Sequence, residues 1–455
     1  MSDTIAAIAT GGVVAAIGIL RVSGDDTLTI IDKVFRPASG RPMSSYPNRQ
    51  LVYGAMLDSD GSELDLCLCT ISRAPGSYTG ETTAELQCHG SPTVLRQGLE
   101  ALFAAGARQA KAGEFSKRAF LNGRMDLTQS EAVIDIIHAE TAEAAKNAVG
   151  QLSGAILHKT DAIYASLVEI CSHYHAVLDY PDEDIEDFRL RDYASTLDEA
   201  IDQLTRLQNS FDRGRIMTEG VKAAIIGKPN AGKSSLLNAL LGYERAIVTD
   251  IAGTTRDTIE ERVRLGGVLI RLTDTAGLRS TDDTVEKLGV DRALDAARAA
   301  DLVIAVFDGS VALTEEDRET IRAAAGAGKS IAVINKSDRS LVVDPAEFSG
   351  SFSRVCTLSA REQTGLDALE QAVAELFPTP NAPVGEILTN ARQADAVGRA
   401  LESLRAARDA MVMGVTPDAV LTEAEEAMAA LGELTGKTVR EDVTNRIFSR
   451  FCVGK

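Results

Sequence analysis

The sequence predicts a multidomain α/β protein, in which a Ras-like P-loop domain is inserted into a discontinuous helical domain that follows an N-terminal α+β domain. Three observations predict this fold class. A buried-strand pattern, Val221–Ile226, leads through a glycine-rich loop into a helix pattern, Lys233–Leu241. The stretches on both sides of this domain are rich in Ala, Glu and Leu and almost free of Pro, which indicates helices. The first 124 residues instead alternate strand and helix patterns.

Composition limits the functions that the chain can have. The formal net charge of −19 argues against a broad RNA-binding face, since phosphate affinity is built on Lys and Arg, although a local basic patch stays possible. The longest apolar run, Val13–Leu20, is too short to span a bilayer, and the N-terminus lacks the basic start of a signal peptide. Six scattered cysteines favour free thiols over a disulfide framework. We therefore expect a cytoplasmic protein without a membrane span.

Alternating apolar residues and turn signals predict the elements of the N-terminal domain. They are a strand at Ile17–Val22, a helix from Asp25 capped by Ser23, a hairpin of Leu51–Leu57 and Leu64–Thr70, a strand at Glu85–Cys88, and a helix from Pro92 to about Ala105. Three polar, glycine-containing stretches separate them, at residues 75–81, 88–90 and 113–126. By residue type alone, these stretches are either solvated turns or a ligand site.

The helical stretches run from about residue 128 to 212 and from 388 to the end. One acidic interruption, Asp179–Asp187, is either a solvated loop or a docking surface for a basic partner. Cys171 and His175 are spaced to share one helix face. Because two ligands are too few for a metal site, we expect both side chains to be structural.

The glycine-rich loop carries the pattern GxxxxGKS, with Gly227, Gly232, Lys233 and Ser234 at its defining positions. Successive backbone N–H groups and the positive end of the following helix point at one anion in such a loop. Lys233 can neutralise the β- and γ-phosphates, and the Ser234 hydroxyl can ligate Mg²⁺. The pattern predicts a nucleotide triphosphate site.

Three further motifs follow at the spacing of a guanine-nucleotide domain. After a strand at Val268–Thr273, the run Asp274–Gly277 can hold Mg²⁺ through water and donate an N–H to the γ-phosphate. A strand at Ile331–Ile334 ends in Asn335-Lys336-Ser337-Asp338, and the Asp338 carboxylate can accept two hydrogen bonds from guanine, which adenine cannot donate. A strand at Val355–Leu358 leads to Ser359–Arg361, which can contact the base from its other side. The ligand is therefore GTP.

The chain resembles the MnmE (TrmE) family of tRNA-modification GTPases from end to end. In the nucleotide domain the resemblance rests on GKPNAGKSSLLNALL, on IVTDIAGTTRD at residues 247–257, and on DTAGLR. In the first domain it rests on SYTGET, CHG, and GEFSKRAFLNGRMDL running into QSEAV. The last four residues, Cys452-Val453-Gly454-Lys455, match the Cys-x-Gly-Lys end of the family. The first domain and the tail single out this family among GTPases.

The resemblance implies a K⁺-assisted nucleotide site. Leu278 follows DTAG, and an apolar side chain cannot orient a water molecule, so catalysis needs another source. The resemblance implies that K⁺ takes the place of an arginine finger. The K⁺ ligands would be Asn230, Thr249, Ile251 and Thr254, the Mg²⁺ ligands Ser234 and Thr255, and the water-activating carboxylate Glu286. The nucleotide-binding set would comprise Asn230, Ala231, Gly232, Lys233, Ser234, Ser235, Thr249, Asp250, Ile251, Ala252, Gly253, Thr254, Thr255, Asp274, Thr275, Ala276, Gly277, Asn335, Lys336, Asp338, Ser359, Ala360 and Arg361.

For the first domain the resemblance implies a 5-formyl- or methylene-tetrahydrofolate site and the interface of a homodimer. The contacts carried over by position are Arg21, Glu81, Arg124 and Lys455, and Cys452 would act as a nucleophile or redox group. A carboxylate suits the amino-pyrimidine edge of a pterin, and arginines suit a glutamate tail. The segment Gly11–Ala16 departs from the Pro-Pro-Gly-x-Gly-Gly loop that is usual in the family. This departure bears on the shape of the pocket and on the dimer interface.

The resemblance implies a complete function. The chain would hydrolyse GTP and, with an FAD-dependent MnmG-type partner in a heterotetramer, install an aminomethyl or carboxymethylaminomethyl group on the wobble uridine of certain tRNAs. Folate would supply the carbon and flavin would handle the hydride. The alternative is a ribosome-assembly GTPase that binds rRNA without modifying it. The expected domains are residues 1–124, 125–217 with 379–455 as the two helical parts, and 218–378 as the G domain.

Overall fold

The computed structural model describes residues 3–179, 190–243, 261–272, 297–378, 383–438, 441–449 and 451–454. The chain divides into two compact units. The first comprises residues 1–134, 151–198 and 399–455, and the second comprises residues 135–150 and 199–398. In the part of the chain that the structure describes, no helix is both long enough and apolar enough to cross a membrane.

The first unit contains a seven-stranded sheet. Its strands are β1 (Ile5–Ile8), β2 (Ala15–Ser23), β3 (Phe35–Pro37), β4 (Val52–Leu57), β5 (Glu63–Ser72), β6 (Thr83–Gly90) and β7 (Arg108–Gln109), in the spatial order β3-β4-β5-β6-β2-β1-β7. Helices α1 (Thr27–Val34) and α2 (Pro92–Ala105) pack their apolar sides onto one face of this sheet. Leu20, Met56 and Leu102 are fully buried between sheet and helices. The domain is thus α+β, as the sequence predicts.

Two local predictions in this domain are wrong. Ser23 does not cap a helix, because α1 begins at Thr27 and the Ser23 hydroxyl is bonded to the side chains of Thr79 and Glu81. The stretch 113–126 is not all loop, since it contains helix α3 (Glu114–Leu121). Its flanking glycines indicate turns, yet burial of Phe115 in the core makes a helix favourable between them. The hairpin of β4 and β5 and the start of α2 at Pro92 are confirmed.

The helical segments of the chain are α4 (Leu127–His138), α5 (Ala142–Leu152), α6 (Ala155–Asp179), α7 (Leu190–Gln208) and α8 (Phe211–Glu219) before the G domain, and α12 (Ala391–Val412), α13 (Pro417–Thr435) and α14 (Glu441–Phe448) after it. Within the first unit, α6 packs along α13. On this contact the Cys171 thiol lies 3.8 Å from the Met428 sulfur, and His175 Nε2 lies 3.2 Å from Glu425 Oε1. Both side chains therefore make helix–helix contacts.

The second unit contains the P-loop domain, a doubly wound sheet with helices on both faces. Its elements are β8 (Val221–Ile226), α9 (Lys233–Tyr243), β9 (Glu261–Leu265), β10 (Val268–Leu272), β11 (Leu302–Asp308), α10 (Glu315–Ala325), β12 (Ser330–Asn335), β13 (Arg354–Thr357) and α11 (Leu366–Leu376). The spatial order is β13-β12-β11-β8-β10-β9, and only β9 runs antiparallel to its neighbour. Helices α9 and α11 cover one face, and α10 covers the other.

The chain segments before and after this domain meet within the second unit. The Asn147 side chain donates to the Ile387 carbonyl and accepts from the Gly385 N–H, at 3.1 Å in both bonds. The Leu388 N–H donates to the Ser210 hydroxyl at 3.0 Å. The helical domain is therefore discontinuous and the P-loop domain is inserted into it. The proposed domain limits themselves stay a prediction.

Candidate functional site

The three predicted nucleotide motifs that the structure describes lie along one edge of the sheet. The P-loop follows β8, Asn335 ends β12, and Ser359 lies just after β13. Strands β8, β11, β12 and β13 are parallel, so their carboxyl ends share this edge. Strands β10 and β11 lie on opposite sides of β8, so the strand order reverses there. A ligand crevice forms at such a reversal in a doubly wound sheet.

The P-loop is shaped to receive a phosphate. Gly232 has φ of +104°, and a Cβ at this position would lie 2.0 Å from Asn335 Nδ2. The Lys233 ammonium donates to the carbonyls of Gly227 and Lys228, at 2.7 and 2.9 Å. Burial lowers the pKa of Lys233. A partly desolvated ammonium that already lies over the loop can transfer its hydrogen bonds to a phosphate.

Asn335 ties the phosphate loop to the base-recognition loop. Its Nδ2 donates to the Ala231 carbonyl, and its Oδ1 accepts from the Ala360 N–H, both at 3.0 Å. The side chain is buried, so neither bond competes with water. The guanine motif therefore also holds the P-loop in place.

The predicted base-recognition carboxylate is exposed and oriented. Asp338 Oδ1 accepts from the Ser359 hydroxyl at 2.6 Å, and this hydrogen bond lowers the pKa of Asp338. An ionised, fixed carboxylate suits the paired donors of guanine. Arg361 lies nearby in sequence, but its side chain is exposed and is 3.7 Å from Glu362 rather than packed at the site.

Several predicted site residues fall outside the described part of the chain. They are residues 249–255, Asp274, Thr275, Ala276, Gly277, Glu286 and Lys455. The roles assigned to them stay predictions. Apart from Arg361, the described members of the set are brought together at the sheet edge; they lie at positions 230–235, 335, 336, 338, 359 and 360.

Two ion pairs at this edge were not anticipated from the sequence. Lys228 donates to Asp317 at 2.6 Å, which attaches the start of the P-loop to α10. Lys336 donates to Asp308 at 2.5 Å and to the Asn230 carbonyl at 2.9 Å. Asp308 follows the apolar run of β11, and a carboxylate at the end of a parallel strand was the signal that could have indicated it.

In the first unit, the loop Ser77–Glu81 contains one of the four residues expected at a folate site, Glu81, and contacts two others, Arg21 and Arg124. The Arg21 guanidinium carbon lies 5.5 Å from the centre of the Tyr78 ring, and Arg21 Nη1 donates to the Gly454 carbonyl at 3.3 Å. The stem of Arg124 lies against Gly80, the neighbour of Glu81. The segment before Lys455 therefore reaches Arg21.

Glu81 is already engaged by the protein. Its Oε2 accepts from Ser23 at 2.7 Å and from the Arg118 guanidinium at 2.9 Å. Arg118 is nearly buried and also donates to Asp3 and to Glu114. Arg118 is not among the residues predicted for this site, because the polar, glycine-flanked run that contains it predicts a loop. The spacing of Glu114 and Arg118, four residues apart, was the available helical signal.

The ion pairs of Glu114 predict acid-sensitive stability. Burial opposes ionisation of Glu114, but hydrogen bonds from Arg108, the Lys111 N–H and Arg118 outweigh it and lower its pKa from 4.5 to about 2. Because the folded value is the lower one, this stabilisation is complete above pH 4.5 and is lost as the pH falls towards 2. We expect Glu114→Gln to reduce the free energy of unfolding by roughly 3 kcal/mol at pH 7, and by roughly half of that at pH 3.

Hydrogen exchange of the β2 amides in urea measures this change. The matched control is Glu63→Gln, which removes an exposed pair with Arg36 and should cost less than about 0.5 kcal/mol. If Glu114→Gln reduced the free energy of unfolding equally at pH 7 and pH 3, the lowered pKa of Glu114 would be contradicted.

The C-terminal tail lies on the first domain. Val453 forms an antiparallel bridge with Ala112, and the Gly113 N–H donates to the Cys452 carbonyl at 3.3 Å. Cys452 itself is exposed. The tail therefore places this thiol at the surface of the domain, beside the segment that reaches Arg21.

Comparisons with known proteins cover almost the whole chain. Residues 4–124 match the family model described as the GTP-binding protein TrmE N-terminus, and residues 127–452 match the MnmE helical domain. A tRNA modification GTPase MnmE from Symbiobacterium thermophilum is 42% identical over 455 residues, which cover 100% of this chain and 99% of that protein. One from Roseiflexus sp. is 43% identical over 464 residues, with 100% and 99% covered. The chain is therefore a GTPase and belongs to the MnmE (TrmE) family of tRNA modification GTPases.

Proposed function

We propose that this chain is a K⁺-activated GTP hydrolase that acts in the modification of the wobble uridine of certain tRNAs. It would work as a homodimer in the cytoplasm, with an FAD-dependent MnmG-type partner and a tetrahydrofolate one-carbon unit. The observation that carries the proposal is the assembly of phosphate loop, Asn335 and Asp338 on one sheet edge, in a chain whose full length matches tRNA modification GTPases. The same full-length match favours this function over the alternative of a ribosome-assembly switch.

The described residues fit the cations that the family implies. The Asn230 side chain is exposed and accepts no hydrogen bond within the described residues, so its Oδ1 is available as a ligand. Its φ of +61° turns the loop outward at this point. Ser234 lies in the first turn of α9, where a hydroxyl can ligate Mg²⁺ beside a phosphate. A bound K⁺ would supply positive charge where an arginine finger does so in other GTPases.

The first domain offers groups that fit a folate. Arg21 donates through Nε to Glu85 and through Nη1 to Gly454, and its Nη2 has no hydrogen-bond partner in the described chain. Ser23 and Arg118 both engage Oε2 of Glu81, and they leave Oε1 for another donor. Arg124 is exposed beside them. These groups would pair with the glutamate tail and with the amino-pyrimidine edge, while folate when bound would supply the one-carbon unit.

Folate binding tests this assignment. We expect the full-length chain to bind 5-formyl-tetrahydrofolate, and Arg21→Ala to weaken binding at least about tenfold, since a charge-assisted hydrogen bond is worth roughly 1.5–3 kcal/mol. Isothermal titration calorimetry measures both dissociation constants.

The matched control for this test is Arg36→Ala, which removes an exposed arginine of the same sheet that pairs with Glu63. Its affinity for folate should equal that of the unchanged chain. Equal weakening by both substitutions, or no binding by the unchanged chain, would remove folate from the proposal.

The outer face of the first sheet supports the proposed homodimer. Several of its apolar side chains are exposed: Tyr53 and Leu68 form a cross-strand pair, Leu66 lies on the same strand as Leu68, and Ile17 lies on β2, on the other side of β6. Exposed apolar side chains grouped on one face are typical of an interface between proteins. The segment Gly11–Ala16, which differs from the usual loop of the family, is exposed and leads into β2. It includes the exposed side chains of Val13 and Val14. An apolar segment is compatible with the same interface.

A further inference from the structure

Two residues of the nucleotide site share an unusual backbone conformation. Among the described residues, the non-glycine positions with positive φ are Arg49, Asn230, Lys336 and Gln363. Two of them, Asn230 at +61° and Lys336 at +66°, are joined by the hydrogen bond from Lys336 Nζ to the Asn230 carbonyl. Left-handed backbone at a non-glycine residue costs free energy and persists only where the surroundings hold it. The structure must therefore contain the group that holds this pair.

Asp308, at the end of β11, contacts the Lys336 side chain of this pair. Its Oδ2 accepts from Lys336 Nζ at 2.5 Å. Its Oδ1 accepts from both the N–H and the hydroxyl of Ser310, at 3.0 and 2.6 Å. Burial opposes ionisation of Asp308, but these bonds outweigh it and lower its pKa to about 2. Asp308 is thus ionised and fixed in position, and its Oδ2 faces the Lys336 ammonium.

Hydrogen bonds form a continuous network from β11 to the phosphate loop. Ser310 orients Asp308, Asp308 orients Lys336, and Lys336 holds the backbone of Asn230. Each of these contacts joins two groups of the protein, so the nucleotide supplies none of them. Preorganisation of this kind raises affinity because the loop loses less freedom on binding.

We propose that Asp308 is a positioning residue, which acts through Lys336 to keep Asn230 in its left-handed conformation and thereby sets the affinity of the P-loop for guanine nucleotide. The inference deepens the proposed function and rests on it in one respect: Asn230 is the described residue expected to ligate K⁺. Asp308 contacts neither nucleotide nor cation in this role. Its effect is conformational, and a change of the backbone at residue 230 should cancel it.

Dissociation of the fluorescent nucleotide mant-GDP tests the proposal. The assay uses the full chain in Na⁺ buffer with Mg²⁺, so that K⁺ does not enter. We expect Asp308→Asn to speed dissociation about fivefold, the size of roughly 1 kcal/mol. In an Asn230→Gly background, the same Asp308→Asn change should have less than about a twofold effect, because glycine adopts positive φ without strain.

A role confined to the stability of β11 would give a different result. Asp308→Asn would then speed dissociation equally in both backgrounds, and that outcome would overturn the proposal, as would the absence of any effect in the unchanged background. Ser310→Ala leaves the carboxylate in place and should give about a twofold effect in the same direction, even if Asp308→Asn folds poorly. The matched control is Glu375→Gln, which removes the exposed pair with Arg354 at the opposite end of the sheet and should leave dissociation unchanged.

A second measurement separates this inference from the proposed function. The K⁺ concentration for half-maximal GTP turnover should rise in Asp308→Asn, because a displaced Asn230 presents its oxygen less well. If the unchanged chain shows no stimulation by K⁺, the proposed cation role fails while the mant-GDP result still decides the role of Asp308. If K⁺ stimulates the unchanged chain, and Asp308→Asn needs the same K⁺ concentration for half-maximal turnover, the positioning role of Asp308 fails instead.

Discussion

Gly232→Ala is expected to abolish useful nucleotide binding, with an increase of about 100-fold or more in the dissociation constant for GDP. An alanine Cβ would lie 2.0 Å from Asn335 Nδ2, and the backbone has φ of +104°, which side chains other than glycine rarely adopt. Asn335 would have to move and would lose its bonds to Ala231 and Ala360. Backbone strain and the lost bonds together amount to roughly 3 kcal/mol.

The matched control lies ten residues further along the chain, near the end of α9. Gly242→Ala places its Cβ where nothing lies within 4 Å, so it should leave nucleotide affinity unchanged. Alanine also favours the helix over glycine by about 0.5–1 kcal/mol. Equilibrium titration with mant-GDP measures both variants. Comparable affinity of Gly232→Ala and the unchanged chain would show that the loop accommodates a side chain there, against the steric argument.

GTP turnover is expected to be far faster in K⁺ than in Na⁺ at equal ionic strength, and Asn230→Ala is expected to remove most of this difference. In other GTPases an arginine finger contributes about 10³- to 10⁵-fold, so a cation in its place should contribute at least roughly 10²-fold. Asn230 is exposed at the outward turn of the P-loop, and its side-chain oxygen is available. Steady-state phosphate release in the two salts measures the effect.

An exposed asparagine outside the G domain provides the control for this substitution. Asn209→Ala should retain the full response to K⁺. Equal turnover in K⁺ and Na⁺ for the unchanged chain would mean that the G domain works without a monovalent cation. The K⁺ ligands assigned to Asn230, Thr249, Ile251 and Thr254 would then be withdrawn, while GTP would stay the ligand because Asn335 and Asp338 do not depend on the cation.

Much of the G domain could be predicted from the sequence, because its signals are local. A buried parallel strand followed by a glycine-rich turn predicts β8 and the P-loop with the observed bounds. The strands at Asn335 and before Ser359 are also predicted, with ends one residue away from the observed ones, and so is the helical character of the described part of residues 128–212. The interruption of helical sequence by a P-loop domain also predicts the discontinuous helical domain, which the contacts of Asn147 and Ser210 confirm.

Contacts between residues distant in sequence were decided only by the tertiary structure. Nothing local to Asp308 indicates that it holds Lys336, and nothing local to Glu81 indicates that Arg118 and Ser23 occupy one of its oxygens. The helix Glu114–Leu121 was missed for the same reason, since flanking glycines predict turns while burial of Phe115 is a tertiary effect. The sequence by itself determined the family, the ligand and the elements that carry the motifs. Which charged side chains meet was decided by the sheet, because strand order brings together residues that no local pattern relates.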